Sequence, residues 1–156
     1  MNQKWILPSV VRTALTEDGQ RRYPEEACGL LFGTIRDNEA VIERYLPVPN
    51  RANDPLKTFE LDPEIWIKSC FDAKLIGVYH THPAAPPLPS PKDLRELPNF
   101  AAQIKLYAIG SPAIPKNKPP GEPDGYHIKA YVIEPKAGSY SLRPVPWHVD
   151  TDQNKF

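Results

Sequence analysis

Two histidines flank one threonine in His80-Thr81-His82, and a serine and an aspartate follow at Ser90 and Asp93. The stretch leading into them, LIGVYHTHP, is apolar and reads as a buried strand. Residues two apart on a strand project to the same side, so His80 and His82 would present two imidazoles together. Zinc binds imidazole nitrogen at about 2.0–2.1 Å and carboxylate oxygen at about 2.0–2.2 Å, and a catalytic zinc site keeps three protein ligands with a fourth position for water. Asp93 is the candidate third ligand. The proline-rich run 83–89 would turn the chain back, and Ser90 before Pro91 reads as a helix start whose first turn carries Asp93. Each part also has an ordinary reading. His-x-His recurs by chance, and Ser-x-x-Asp at a helix start is a capping arrangement in which the serine oxygen accepts a backbone N–H.

Hydrolysis at such a metal needs a carboxylate that is not a ligand, to take a proton and hand it on. Glu25 and Glu26 in YPEEACGLLFG stand immediately before an apolar segment. Acidic residues there also serve simply to cap a sheet edge, so this pair alone does not decide between the two roles.

The elements that must position these groups can be read from periodicity and punctuation. Val10, Val11, Ala14 and Leu15 at helical spacing predict an amphipathic helix over about 9–22, closing near Gly19 or Pro24. ACGLLFGTI and EAVIERYLPV, separated by RDN, predict two neighbouring strands joined by a tight turn. Asp62 as N-cap, Pro63 at the first helical position and an apolar stripe of Ile65, Trp66, Cys70 and Phe71 predict a helix over about 62–73. IKLYAIGS, YHIKAYVIE and SYSLRPV predict three further strands. The order is helix, hairpin, helix, strand, short helix, strands: a mixed sheet with helices, organised as one domain over residues 1–156.

Composition narrows the functional classes. Nineteen basic and nineteen acidic residues among 156 leave no net charge to favour nucleic acid or an anionic membrane. No apolar run is long enough for a signal-peptide core or a membrane span, which predicts a soluble, cytoplasmic protein. Cys28 and Cys70 form no Cys-x-x-Cys pair and read as buried free thiols. Twenty prolines are the outlier. They cluster in PVPNRANDP, PAAPPLPSP, SPAIPKNKPPGEP and RPVPW, which read as stiff loops.

Taken together, Glu26-x-Cys28-Gly29-Leu30-Leu31, His80-Thr81-His82-Pro83, Ser90 after seven intervening residues and Asp93 after two more resemble the complete signature of the JAMM (MPN+) metalloproteases. The flanking CGLLFG, FELDP and LIGVYHTHP are similar to the small prokaryotic members, over about residues 5–110. The resemblance implies a cytidine-deaminase-like α/β fold, a curved mixed β-sheet flanked by helices. It also implies one catalytic Zn2+ held by His80, His82 and Asp93, Glu26 as general base and then acid, and Ser90 hydrogen-bonded to the tetrahedral intermediate. Glu26 is preferred to Glu25 because the family's glutamate stands two residues before the cysteine. If residues 26–32 are extended, Glu26 also shares a face with Cys28, Leu30 and Phe32.

The implied activity is cleavage of the peptide or isopeptide bond after the C-terminal glycine of a ubiquitin-like or sulfur-carrier protein ending in diglycine. The alternatives are release of a single amino acid or small amide from a carrier protein, and a non-catalytic module that binds ubiquitin-like proteins. Loops 47–58 and 83–89 are candidates for the groove taking the tail. The segment 111–126 reads equally as a rigid rim or a spacer.

Overall fold

The computed structural model describes residues 3–112 and 125–148. The chain runs β1 (Lys4–Ile6), α1 (Ser9–Arg22), β2 (Cys28–Arg36), β3 (Glu39–Val48), α2 (Pro63–Ser69), β4 (Leu75–Thr81), α3 (Pro91–Glu96), β5 (Leu106–Ser111), β6 (His127–Lys136), β7 (Ser139–Val145) and β8 (Trp147–His148), with a 3-10 turn at Leu97–Asn99. The strands form one sheet in the order β7-β6-β5-β4-β2-β3-β1-β8. β4 and β5 pair in parallel, as do β1 with β3 and β1 with β8. The remaining neighbours are antiparallel. Register shifts on both sides of β2, near Leu31–Gly33, bend the sheet. This is the expected mixed, curved sheet flanked by helices.

Each face of the sheet buries its own apolar set, as alternation along the strands requires. Val11 and Leu15 of α1 pack with Trp5, Leu31, Tyr79, Leu106 and Ala108 on one face. Cys28, Leu30, Val78, Tyr107 and Ile109 pack on the other with Phe59, Leu97 and Phe100, and Ile65 and Trp66 of α2 lie against that cluster. Among the described residues, no helix is long and apolar enough to cross a membrane.

Several local expectations are corrected. Gly19 does not close α1 but lies within it, where a Cβ would stand 2.7 Å from the Tyr126 ring and 3.2 Å from Thr81 Cγ2. The glycine lets the helix approach the sheet, and α1 ends at Arg22, as the predicted span 9–22 has it, just ahead of Pro24. Val10, placed in the apolar stripe, is exposed. The helix predicted over 62–73 ends at Ser69, and Phe71 beyond it is 86% exposed, so its place in the stripe was an accident of spacing.

RPVPW is not a loop: Arg143–Val145 end β7 and Trp147 opens β8, with Pro146 between them, and Pro47 and Val48 of PVPNRANDP belong to β3. Proline is tolerated where a strand has a free side. β7 is an edge, and β1 covers β3 only at Glu39–Val41. Of the two free cysteines, Cys28 is buried but Cys70 only partly so. The proline-rich segment weighed as rim or spacer lies, over 113–124, outside the described residues.

Candidate metal centre

β4 carries His80 near its carboxyl end, on the face that also carries Tyr107 and Ile109 of β5, and His82 follows one residue past the strand. Thr81 between them points to the opposite face and joins the strand to the segment before β2. Its N–H donates to the Ala27 carbonyl at 3.0 Å, and the Ala27 N–H donates to its Oγ1 at 2.8 Å. The threonine of His-Thr-His thereby fixes Glu26 relative to the two imidazoles. Glu26 is not on a strand, because β2 begins at Cys28; it is held instead by its own backbone. Its N–H donates to the Pro55 carbonyl at 2.7 Å, and its carbonyl accepts from Asn50 Nδ2 at 3.0 Å.

Asn50 uses all its side-chain capacity here. Nδ2 also donates to the Thr58 carbonyl, and Oδ1 accepts from the Ala52 and Glu60 N–H groups, each at 3.0 Å. One amide closes the base of the 50–61 segment and ties it to Glu26.

The proline run 83–89 is pinned through its carbonyls, which is what a segment poor in N–H groups can offer. The His82 Nδ1–H donates to Pro86 O at 2.9 Å, and the Tyr131 hydroxyl donates to Pro87 O at 2.8 Å. A carbonyl can only accept, so His82 carries a proton on Nδ1, which leaves Nε2 as the atom it offers to a metal. Asp93 is fixed by a reciprocal cap. The Ser90 N–H donates to Asp93 Oδ2 at 2.9 Å, and the Asp93 N–H donates to Ser90 Oγ at 3.0 Å. On the side away from Asp93, His80 is oriented by rings. Phe59 stacks on it at 4.3 Å, and its Nδ1 has no partner among the described residues.

The donor atoms converge. His80 Nε2 and His82 Nε2 are 3.0 Å apart, and the Asp93 oxygens lie 3.3 and 3.2 Å from them. All three residues are buried. Two ligands at about 2.0–2.1 Å from a tetrahedral ion stand roughly 3.3 Å apart, so the spacing and the mixed nitrogen and oxygen donor set fit a divalent metal. Burial would push the Asp93 carboxyl up, but hydrogen bonds from His80 and His82 outweigh it and hold it far below the usual carboxylate range.

Glu26 lines the same cleft, of about 250 Å³, and contributes no donor to the cluster. Burial raises its pKa to about 7; His82 and Lys92 oppose this, and Asp93 adds to it. A carboxyl poised there can take a proton and return it at neutral pH. The cleft is walled by Leu56 to Phe59 on one side and Pro83 to Ala85 on the other, with Ser90, Lys92 and Glu96 along the edge. These walls belong to the two loops named as groove candidates and to Phe59 just beyond them.

Cys28, the other reactive side chain nearby, is pushed up to about 11 by burial and is a poor nucleophile. The sequence-predicted residues thus meet in one place. Asn50, Phe59 and Lys92 were not singled out, and PVPNRANDP, which holds both Asn50 and Asn53, carries no local sign of which amide bonds to Glu26.

A family model described as prokaryotic homologs of the JAB domain matches residues 8–112. The desampylase of Pyrococcus furiosus is 40% identical over 74 residues, covering 44% of this chain and 49% of its own. A probable TtuB-protein conjugate cleaving protease of Thermus thermophilus is 35% identical over 81 residues, covering 49% of this chain and 51% of its own. The chain therefore spans about half the length of these two relatives. The solution structure of DSY2949 from Desulfitobacterium hafniense superposes with a TM-score of 0.67 at 24% identity, over 94% of both chains, which extends the likeness of fold beyond the matched segment.

Proposed function

The chain belongs to the prokaryotic JAB-domain family, and from that premise we propose that it is a zinc metallopeptidase cutting the peptide or isopeptide bond after the C-terminal glycine of a ubiquitin-like or sulfur-carrier protein. The observation that carries the reading is the convergence of two imidazoles, one carboxylate and a separate protonatable carboxyl, Glu26, in one cleft. The printed names of the two relatives, a desampylase and a conjugate-cleaving protease, support the choice of protein conjugates as substrate.

His80 Nε2, His82 Nε2 and Asp93 would hold one zinc per chain. Bound there, zinc supplies Lewis-acid polarisation of the scissile carbonyl and lowers the pKa of water from about 15.7 to roughly 7. Glu26 accepts the proton of the attacking water and delivers it to the departing amine nitrogen. The carbon–nitrogen bond breaks as the amine leaves, and the new carboxylate remains on the glycine. Ser90 Oγ already accepts the Asp93 N–H, so its own hydrogen is available to donate to the oxygen that gains charge. Neither cysteine has a part.

A diglycine tail has no side chains to clash with the narrow walls at Phe59 and Ala84–Ala85 and can lie extended between them. One observation favours the second reading, release of a single amino acid. The Lys92 ammonium, paired with Glu96, lines the cleft and would suit the α-carboxylate beside a terminal scissile bond.

Intact-mass analysis of ubiquitin-like proteins carrying C-terminal extensions, α-linked and ε-linked, separates the readings. Cleavage after the terminal glycine in ε-linked conjugates is expected. Cleavage confined to single α-linked residues would favour the second reading, and no cleavage of any member by zinc-loaded protein would sink both.

Ser90→Ala separates the two jobs of that hydroxyl. Losing the N-cap costs about 1 kcal/mol, which lowers Tm by roughly 2–4 °C in a chain of this size. Losing a donor to the developing oxyanion lowers turnover by about 10²–10³-fold. Calorimetry and initial rates are expected to show the second effect dominating; a drop in Tm with unchanged turnover would return Ser90 to capping alone.

A further inference from the structure

Tyr107 takes no part in the chemistry above, yet it stands beside it. It lies on β5 opposite Val78, and its ring is edge-on to the His80 imidazole at 5.4 Å and 74°. The side chain is wholly buried but lines the cleft with Glu26 and Asp93. Its hydroxyl has no hydrogen-bond partner among the described residues. A buried hydroxyl without a partner carries a desolvation penalty that phenylalanine, filling the same shape, would avoid. A phenol is a donor at neutral pH, and the Asp93 carboxylate already acts on this one by its charge and by a side-chain hydrogen-bond interaction that falls short of full hydrogen-bond geometry.

Asp93 is the group that comes to need a donor. Without a cation its oxygens are held by the Ser90 N–H and by the two imidazole Nε2 atoms at 3.2 and 3.3 Å. A cation bound by those nitrogens displaces any proton they carry and so removes them as donors to Asp93, leaving the Ser90 N–H as its remaining full hydrogen bond. Ligating carboxylates are themselves hydrogen-bonded as a rule, and such partners set metal affinity. Resting on the metal-site reading above, we propose that the Tyr107 hydroxyl is a positioning group of this site, donating to the Asp93 carboxylate when the cluster holds its cation.

The test is Tyr107→Phe in the full chain, with zinc alone as the probe. Competition against a chromophoric chelator should show zinc affinity reduced about 10–100-fold. The chelator-treated variant should melt at or above the wild-type temperature, because an unmatched hydroxyl has been removed. A merely structural tyrosine would move the two readouts the other way, with a lower melting temperature and unchanged affinity, and that result overturns the proposal. Wild-type protein that binds no zinc overturns the metal site and this inference together, whereas equal binding by wild type and variant overturns this inference alone. Should the variant fail to fold, the ring Cζ resonance of 13C-labelled Tyr107 in the wild-type chain gives the answer: it should shift on zinc addition, and its failure to move counts against the proposal.

Discussion

Glu26→Gln is expected to keep about one zinc per chain while losing roughly 10²–10⁴-fold in hydrolysis, the usual size of a positioned proton shuttle. The substitution is nearly isosteric. The anchors that place residue 26 are backbone groups bonded to Pro55 and Asn50, which glutamine retains. Glu26 also stands outside the three-residue donor cluster, so metal content should not change. Elemental analysis together with initial rates on a cleavable conjugate reads both quantities. Loss of zinc with loss of rate would make Glu26 a ligand, and undiminished rate would reassign the base.

The same variant carries a stability signature in metal-free protein. Burial lifts the Glu26 pKa from 4.5 to about 7, so below pH 4.5 the residue is protonated in folded and unfolded chains alike. As pH rises toward 7 the unfolded chain releases this proton and the folded chain does not, and stability falls by at most about 3 kcal/mol. Glutamine cannot ionise. Chelator-treated Glu26→Gln should therefore out-melt chelator-treated wild type at pH 8, with the gap closing by about pH 4.5. A gap that is constant with pH would mean that Glu26 already titrates normally.

The donor set was legible in the sequence because its geometry is nearly local. Two residues apart on a strand means one side, and a serine followed by proline means a helix start, so His80, His82 and Asp93 needed only a turn of the right length between them. What holds these groups was not legible. Thr81 reaches Ala27 across 54 positions of chain, and Asn50 reaches Glu26 across 24. Neither contact leaves a periodic trace. The strands β1 and β8, of three and two residues, are too short to show alternation; β1 forms on the open side of β3, and β8 adds to β1 as the edge of the sheet. Phe71 shows the converse failure: helical spacing put it in an apolar stripe, but the helix had already ended. Glu26 combines both lessons. It was preferred to Glu25 because the family's glutamate stands two residues before the cysteine, with strand alternation as a conditional second reason; β2 begins only at Cys28, and residue 26 is held by backbone hydrogen bonds two residues ahead of the strand.

Asp93→Asn should abolish zinc binding and lower hydrolysis by at least about 10³-fold, since the metal supplies several kcal/mol of transition-state stabilisation. Asparagine is the informative choice because Asp93 has two attachments. Its carboxylate faces His80 and His82, and the same carboxylate accepts the Ser90 N–H in the cap that starts α3. The amide oxygen of asparagine can still accept that N–H, so α3 keeps its start while the cluster loses its negative charge.

Stability should respond with a definite sign. Asp93 is held ionised far below its unfolded pKa, so its contribution is present above about pH 4 and is lost as pH falls through the depressed folded value. Metal-free Asp93→Asn should thus melt below metal-free wild type at neutral pH, with the deficit shrinking in strong acid. Asp93→Ala removes cap and ligand together and should destabilise further, by about the 1 kcal/mol of a lost capping interaction. Titration calorimetry with zinc and melting curves on the three chains test this partition. Normal zinc uptake by Asp93→Asn would remove the residue from the ligand set and leave the reciprocal cap with Ser90 as its whole purpose.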